Sequence, residues 1–516
     1  MVRLTLSLLG LLLVCARLGY VQSQDDTVGA TEPVIFTFAD DSTPQSASLA
    51  KQNDTFSNID SPAPALESEE GKPEWTVADE SSGDMDSLAS ESNGNLVGTA
   101  DDDNTVIPSP TQPAAPEGPS NSTDSKADAD GFDMVEGGDD KEFTTEDSDT
   151  EETSFAARHS CQTGNPVDDC WRCDRNWASN RQRLASCAVG FGRNAIGGRN
   201  GRIYVVTSSR DDNPANPSPG TLRYAVTRPG PLWIIFAYSM TIKLKNELMI
   251  TSYKTIDGRG VDVHIAGGAG FTLQFISNVI IHGIAIHDIK PTGPARIMTS
   301  TSHVGNRGRA DGDAISIFTS KNIWVDHCYL ARAADGLVDV VRGSTAVSVT
   351  NCYFTQHNKV MLLGAHPQDY IDRNMYVTVA YNIFGPGLIQ RLPRVRFGNV
   401  HVLNNDYTSG WGIYAIAGSE GPTILSQGNV FNSYKGSKQV TKRIDDGGST
   451  MGGPKNWNWR SEGDKFLDGA FFTSVPMKWS AQSYSKTVSC SARPASMVER
   501  MVKGAGPLSC RRGAVC

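Results

Sequence analysis

The amino-acid sequence predicts an all-β solenoid, a parallel β-helix, carried behind a disordered acidic N-terminal extension. Three observations predict it. An apolar pattern returns about every 23 residues, Cys and Asn form a column at one position of that pattern, and the charge changes sign along the chain.

The repeat is visible in 278-NVIIHGIAI, 322-NIWVDHCYL, 346-AVSVTNCYF, 376-YVTVAYNIF, 399-NVHVLNNDY and 423-TILSQGNVF, which share apolar residues at most of positions two, four and nine. Their starts are separated by 44, 24, 30, 23 and 24 residues, which reads as a unit near 23 residues, once doubled and once carrying an insertion. Such a unit is too short for an immunoglobulin or Rossmann unit. It suits one coil of a parallel β-helix, in which alternate residues of short strands face a stacked core. The Leu-x-x-Leu-x-Leu signature of leucine-rich repeats is absent. Position seven holds Cys328, Cys352, Asn382, Asn405 and Asn429. Equivalent residues of adjacent coils lie about 4.8 Å apart, so the asparagines are expected to form a hydrogen-bonded ladder. Cys328 and Cys352 fall within the Cα range of a disulfide, the alternative being two buried thiols.

The chain is expected to divide three ways. Arg3 precedes the apolar run 4-LTLSLLGLLLVCA-16, with small residues before Gln24, so residues 1–23 read as a secretory signal peptide. Residues 24–155 carry 33 Asp/Glu against 4 Lys, a charge of −29, with few aromatics and no periodicity. Segments of that composition bury too little apolar surface to offset chain entropy. The extension is a spacer, or else an intramolecular polyanion whose contact with the basic part weakens in salt. Residues 156–516 form the β-helix domain, with 24 Asp/Glu against 41 Lys/Arg, a charge of +17. No later stretch has the length and apolarity of a transmembrane helix. Export makes disulfides expected among the nine cysteines left once Cys15 is removed. Asn53 and Asn121 stand in glycosylation triplets. The mature protein is expected to be a secreted, extracellular glycoprotein and a monomer.

Four carboxylates fall in two tight pairs, Asp311 with Asp313 and Asp335 with Asp339, on either side of the unit that begins at Asn322. Stacked coils could bring all four to one face, where clustered aspartates offer the oxygen ligands that Ca²⁺ takes. Asx-turns at coil corners are the competing explanation, and the EF-hand series is missing. Lys359 and the arginines of 388-LIQRLPRVRFGN-399 follow by one and two further coils. They form either a surface ion-pair network of little energetic weight or a site for a polyanion, which a basic domain attracts. Nucleic acid fits poorly: there is no RNP1-like stacking pattern, and the acidic pairs would repel phosphate unless a metal covered them.

These residues resemble a known family. The segments 310-ADGDAISIF, 322-NIWVDHC, 334-ADGLVDVVRGSTAVSVTN, 357-HNKVMLLG, 388-LIQRLPRVRFGNVHVLNNDY and 457-WNWRSEGD are similar to plant-type pectate lyases of polysaccharide lyase family one, as are 170-CWRCDRNWASNRQRLASCAVGFGRNAIGG-198 and 504-GAGPLSCRRG-513. The likeness runs from about Cys161 to Cys516. It implies a right-handed parallel β-helix that cleaves de-esterified homogalacturonan by calcium-dependent β-elimination. It also implies that Asp311, Asp335 and Asp339 ligate Ca²⁺, with Asp313 close by. Arg391 matches the catalytic base, and Lys359 and Arg396 match substrate-binding cations. Arginine ordinarily holds its proton too tightly to act as a base, and neighbouring cations weaken that hold. Arg394 remains unassigned, because Pro393 interrupts the strand that would set its face. Val395 stands where the family commonly has Cys, and Cys490 has no obvious partner. Cys170 with Cys187, and Cys510 with Cys516, are reasonable disulfides.

A polygalacturonase would need carboxylates as acid and base, and its Asn-Thr-Asp and Gly-His-Gly motifs are absent. A pectin lyase would lack the aspartate cluster. A non-catalytic pectin-binding protein would keep the basic groove without needing Arg391.

Overall fold

The computed structural model describes residues 161–434, 437–445, 453–475 and 486–516. Over these residues the chain winds as a parallel β-helix with three sheets, of ten, eight and nine strands. A coil adds one strand to each sheet in turn: Lys321–Asp326 to the first, Tyr329–Ala331 to the third and Val338–Val341 to the second. The signal peptide expected over residues 1–23, the acidic extension over 24–155 and the triplets at Asn53 and Asn121 lie outside the described residues.

The repeat explains the winding. Positions two and four pair in register from coil to coil, as Ile323 with Val347 and Val325 with Val349, then Val377 with Val400 and Val379 with Val402. All are fully buried. Position nine supplies Phe354, Phe384, Tyr407 and Phe431, whose rings stack at 5.3, 4.3 and 4.6 Å. Strand spacing sets these separations, so a single residue type repeated at one register generates a continuous apolar column.

Position seven forms the expected ladder. Asn382 Nδ2 donates to Asn405 Oδ1 at 2.9 Å, and Asn405 Nδ2 donates to Asn429 Oδ1 at 3.0 Å. The same oxygens accept from the backbone N–H of the preceding rung. Asp464 closes the column, accepting from the Asn429 amide at 2.8 Å. Each buried amide is thereby satisfied within the stack.

Two expectations are corrected. The 44-residue spacing is one coil, since Ser277–His282 pairs directly with Lys321–Asp326. The extra residues pair with each other instead, as the antiparallel hairpin Ala295–Ser300 and His303–Arg307. Arg307 ties this hairpin to Glu247 at 2.7 Å and to Gln274 at 2.8 Å. The insertion expected in the 30-residue spacing is present, and contains the helical turn Tyr370–Asn374. The second correction concerns Cys328 and Cys352, which stack in the core as free thiols. In-register side chains on stacked coils point the same way, keeping their Cβ atoms about 4.8 Å apart, beyond the ~3.8 Å of a disulfide. Each thiol instead lies near a carbonyl two residues back, Asp326 O at 3.4 Å and Thr350 O at 3.2 Å.

The disulfides Cys170–Cys187 and Cys510–Cys516 form as expected, and Cys161–Cys173 joins them. Cys490 is free. The two ends of the domain cover the first sheet. Trp171, Trp177 and Met501 bury Trp233, Ile280 and Trp324, residues on the outward side of that sheet. The second sheet is left for the site.

Candidate active site

Strand alternation on the second sheet sends Val338 and Val340 into the core and turns Asp339 outward. Register then builds an outward row: Thr272, Ser316, Asp339, Leu362, Arg394, Ala417 and Lys442. Asp311 and Asp313 stand in the loop leading into Ile315–Phe318, and Asp335 in the loop leading into Val338–Val341. Because those strands are neighbours, their loops stack as well. Carboxylate oxygens of Asp311, Asp313 and Asp335 all lie within 4.8 Å of one another.

Asp339 adjoins them through Gly336. A Cβ at Gly336 would sit 2.2 Å from Asp339 Oδ1 and 3.0 Å from Asp313 Oδ1. Only glycine leaves both carboxylates their places, and its N–H donates to Asp313 Oδ1 at 2.7 Å. The charges are poorly compensated. Burial, reinforced by the Asp335 charge, raises Asp339 to about 7, although Arg391 pulls the other way. Asp313 is pushed well above the usual carboxylate range by burial and then by Asp339, Asp311 and Asp335. Asp311 is raised by burial and by Asp335. Asp335 Oδ1 is buried and accepts no hydrogen bond, its cationic neighbour being Lys359 Nζ at 3.2 Å.

The cations arrive from the next two coils. Lys359 ends the strand His357–Lys359, which pairs with Leu388–Gln390, so Lys359 lies opposite Gln390 and beside Arg391. Arg391 turns the corner in the left-handed region, at φ 64°. Its Nε is buried without a hydrogen-bond partner among the described residues, so the guanidinium is not consumed by a structural pair there. Arg394 and Arg396 both face outward, with Val395 in the core between them, so alternation survives Pro393. Arg396 Nη1 donates to the carbonyl of Ala365.

Every site residue expected from the sequence thus comes to one side of the solenoid. The tight carboxylate trio takes in Asp313 and leaves Asp339 at its edge. Arg394, 8% exposed and in the same outward row as Asp339, belongs to this face too. The two-residue period of the strand was the signal that places it.

A pectate lyase family model matches residues 182–507. Curated relatives include a probable pectate lyase 8 from Arabidopsis thaliana, 58% identical over 69% of this chain and 85% of its own. A pectate lyase from Zinnia elegans is 55% identical over 69% of this chain and 88% of its own. The chain belongs to the pectate lyase family. This pectate lyase is therefore an enzyme of the polysaccharide lyase class. Among solved structures, the crystal structure of jun a 1, the major allergen from cedar pollen, is 45% identical and superposes with a TM-score of 0.63 over 67% of this chain and 99% of that one. Among the described residues no helix is long and apolar enough to cross a membrane.

Proposed function

We propose that the enzyme is a calcium-dependent pectate lyase that cleaves de-esterified homogalacturonan by β-elimination to 4,5-unsaturated oligogalacturonides. The observation that carries this reading is the carboxylate cluster, under-compensated in charge, meeting Lys359 and Arg391 at one face. The donor set fits the ion: several hard oxygens, one of them buried and accepting no hydrogen bond, suit Ca²⁺ better than any softer metal. Asp311, Asp335 and Asp339 would hold it, with Asp313 in their midst. When bound, it supplies positive charge to the galacturonate carboxylate and offsets the mutual repulsion of the aspartates.

The chain's own side chains do the rest. Lys359 pairs with the C6 carboxylate and stabilises the enolate-like charge that builds as the neighbouring C5 loses its proton. Arg391 takes that proton as the neutral guanidine, a form that the positive charges of Lys359, Arg396 and the bound ion favour, and becomes guanidinium. The electron pair of the C5–H bond becomes the C4–C5 double bond, the C4–O4 bond breaks, and the departing sugar oxygen gains a proton from solvent. Arg396 holds the polymer alongside. This enzyme acts as a secreted monomer at the plant cell wall, with residues 1–23 as signal peptide, 24–155 as extension and 156–516 as catalytic domain.

The test is the ultraviolet absorbance of the conjugated product on adding polygalacturonate with calcium. Absorbance should rise, stop with a chelator, and fall by about 10²–10⁴-fold in Arg391→Ala while circular dichroism stays that of the folded β-helix. Binding of polygalacturonate without any absorbance change would make the protein a wall-binding module instead.

A further inference from the structure

The column at position nine is apolar at every repeat but one. Ile286, Leu330, Phe354, Phe384 and Phe431 occupy it without a polar side-chain atom, and Tyr407 breaks the run. Tyr407 is fully buried. Its ring lies at 6° to that of Phe384 and at 23° to that of Phe431, so the stack fixes where its hydroxyl points. A hydroxyl buried among apolar rings costs free energy unless it is hydrogen-bonded. This one donates to the carbonyl of Leu392 at 2.9 Å. Burial pushes the phenol well above the usual tyrosine range, so the donated hydrogen stays in place.

Leu392 follows Arg391 directly. Arg391 turns its corner at φ 64°, a conformation uncommon for a residue with a side chain. Coils on both sides pin the backbone there. Arg391 O accepts from the Met361 amide at 2.8 Å, the Leu392 amide donates to Ala415 O at 2.8 Å, and Pro393 O accepts from the Ala417 amide at 3.0 Å. The Leu392 carbonyl is served differently: among the described residues its donor is the Tyr407 hydroxyl. Phenylalanine would fill the column, as it does at Phe384 and Phe431, and would leave that buried carbonyl without a donor. The hydroxyl thus serves the Arg391 corner, and the column has no need of it.

We propose that Tyr407 is a positioning residue for the elimination, its hydroxyl fixing the corner from which the Arg391 guanidinium reaches the sugar. Arg391 Nε makes no hydrogen bond among the described residues, so the backbone of the corner has a large share in placing the group. A proton acceptor must come within hydrogen-bond reach of the proton it takes, and side chains behind it supply the rigidity that keeps it there. The proposal rests on the reading of Arg391 as that acceptor.

The test is Tyr407→Phe in the full chain, assayed by product absorbance on polygalacturonate with saturating calcium. The variant should fold, with KM unchanged and kcat lowered about tenfold or more, since a displacement of about 1 Å at a reacting group costs roughly 10²-fold. Phe466→Leu loosens the same column one rung beyond Phe431, away from the corner, and should lower Tm without changing kcat. Hydrogen exchange gives a readout that needs no turnover. The Leu392 amide should exchange faster in Tyr407→Phe, while the Cys352 amide, held by Asn382 Oδ1 at 2.8 Å, keeps its rate. A kcat equal to the parent's, a loss carried by KM, the same loss in Phe466→Leu, or unchanged exchange at Leu392 overturns the proposal. Parent protein that yields no product overturns the lyase reading and this one with it, so the two failures are told apart.

Discussion

Two groups of aspartates in this molecule meet opposite fates. Under the covered first sheet, Asp257 accepts from Arg181 at 3.0 Å, from Arg259 at 2.7 and 2.9 Å, and from Trp233 at 3.0 Å. Burial alone would raise its pKa, but the charges and hydrogen bonds of Arg259 and Arg181 outweigh that and lower it far below the usual range. Asp326 is treated alike by His282, Thr350 and Asn351. On the second-sheet face, Asp311, Asp313 and Asp339 are all raised, by burial first and then by the charges of neighbouring carboxylates. The same residue type in the same solenoid is structural where donors surround it and is left short of positive charge where carboxylates do. That deficit is what marks the second group as the candidate site.

The comparison can be broken most forcefully at Asp257. Asp257→Ala strands two buried guanidinium groups, and the loss of stability should be about 3–5 kcal/mol, read as a drop in the urea midpoint. A loss near that of a surface substitution would mean that these pairs are not holding the fold. At the other group, calcium should stabilise. At roughly 100 times its dissociation constant, the gain in unfolding free energy is about 2.7 kcal/mol, visible as a Tm rise that a chelator reverses and that Asp335→Asn diminishes.

Asp339→Asn should act in the reverse sense to Asp257→Ala. The folded value of about 7 lies above the ordinary 3.8, so the fold disfavours the ionised form. The penalty is full above pH 7 and fades as pH falls towards 4. The asparagine variant, without calcium, should therefore be ~1–2 kcal/mol more stable at pH 8, the gain vanishing near pH 4, while turnover is lost. A variant less stable than the parent at pH 8 would show that the cluster is not strained.

The smallest effect concerns His327. Its Nε2 lies 2.8 Å from Asp168 Oδ1 and its Nδ1 3.0 Å from Gly506 O. Two acceptors call for two N–H groups, a charged ring. Burial opposes that charge, but Asp326 and Asp168 outweigh it and raise the group to about 9. A raised folded value means stability that is present below the ordinary 6.5 and lost as pH climbs through about 9. Unfolding at pH 6 and at pH 9.5 should differ by ~1 kcal/mol from this group, and His327→Gln should remove that part of the slope.

Much of this was legible in the residues. Positions two, four and nine gave the core, and the Asn382, Asn405 and Asn429 column gave a ladder, because a parallel stack converts sequence period directly into spatial contact. The aspartate loops were legible for the same reason, lying at equivalent points of neighbouring coils. The long spacing before Asn322 was misread as two units, since whether residues 290–310 pair with neighbouring coils or with each other is settled by hydrogen bonding that no period encodes. Cys328 and Cys352 were misjudged because Cα spacing carries no information about where the Cβ atoms point. Arg394 was left open because Pro393 was given more power over the strand than it has.

The amide column also has a direction. Each rung's side-chain oxygen serves the backbone of the rung before it, so Asn382 depends on Asn405 and Asn405 on Asn429. Under mechanical tension applied at the last coil, the stack would come apart like a zip with one slider. Each turn that peels away, 23 or 24 residues of chain in this stretch, would release roughly 80 Å of slack and expose the acceptor-starved edge of the next.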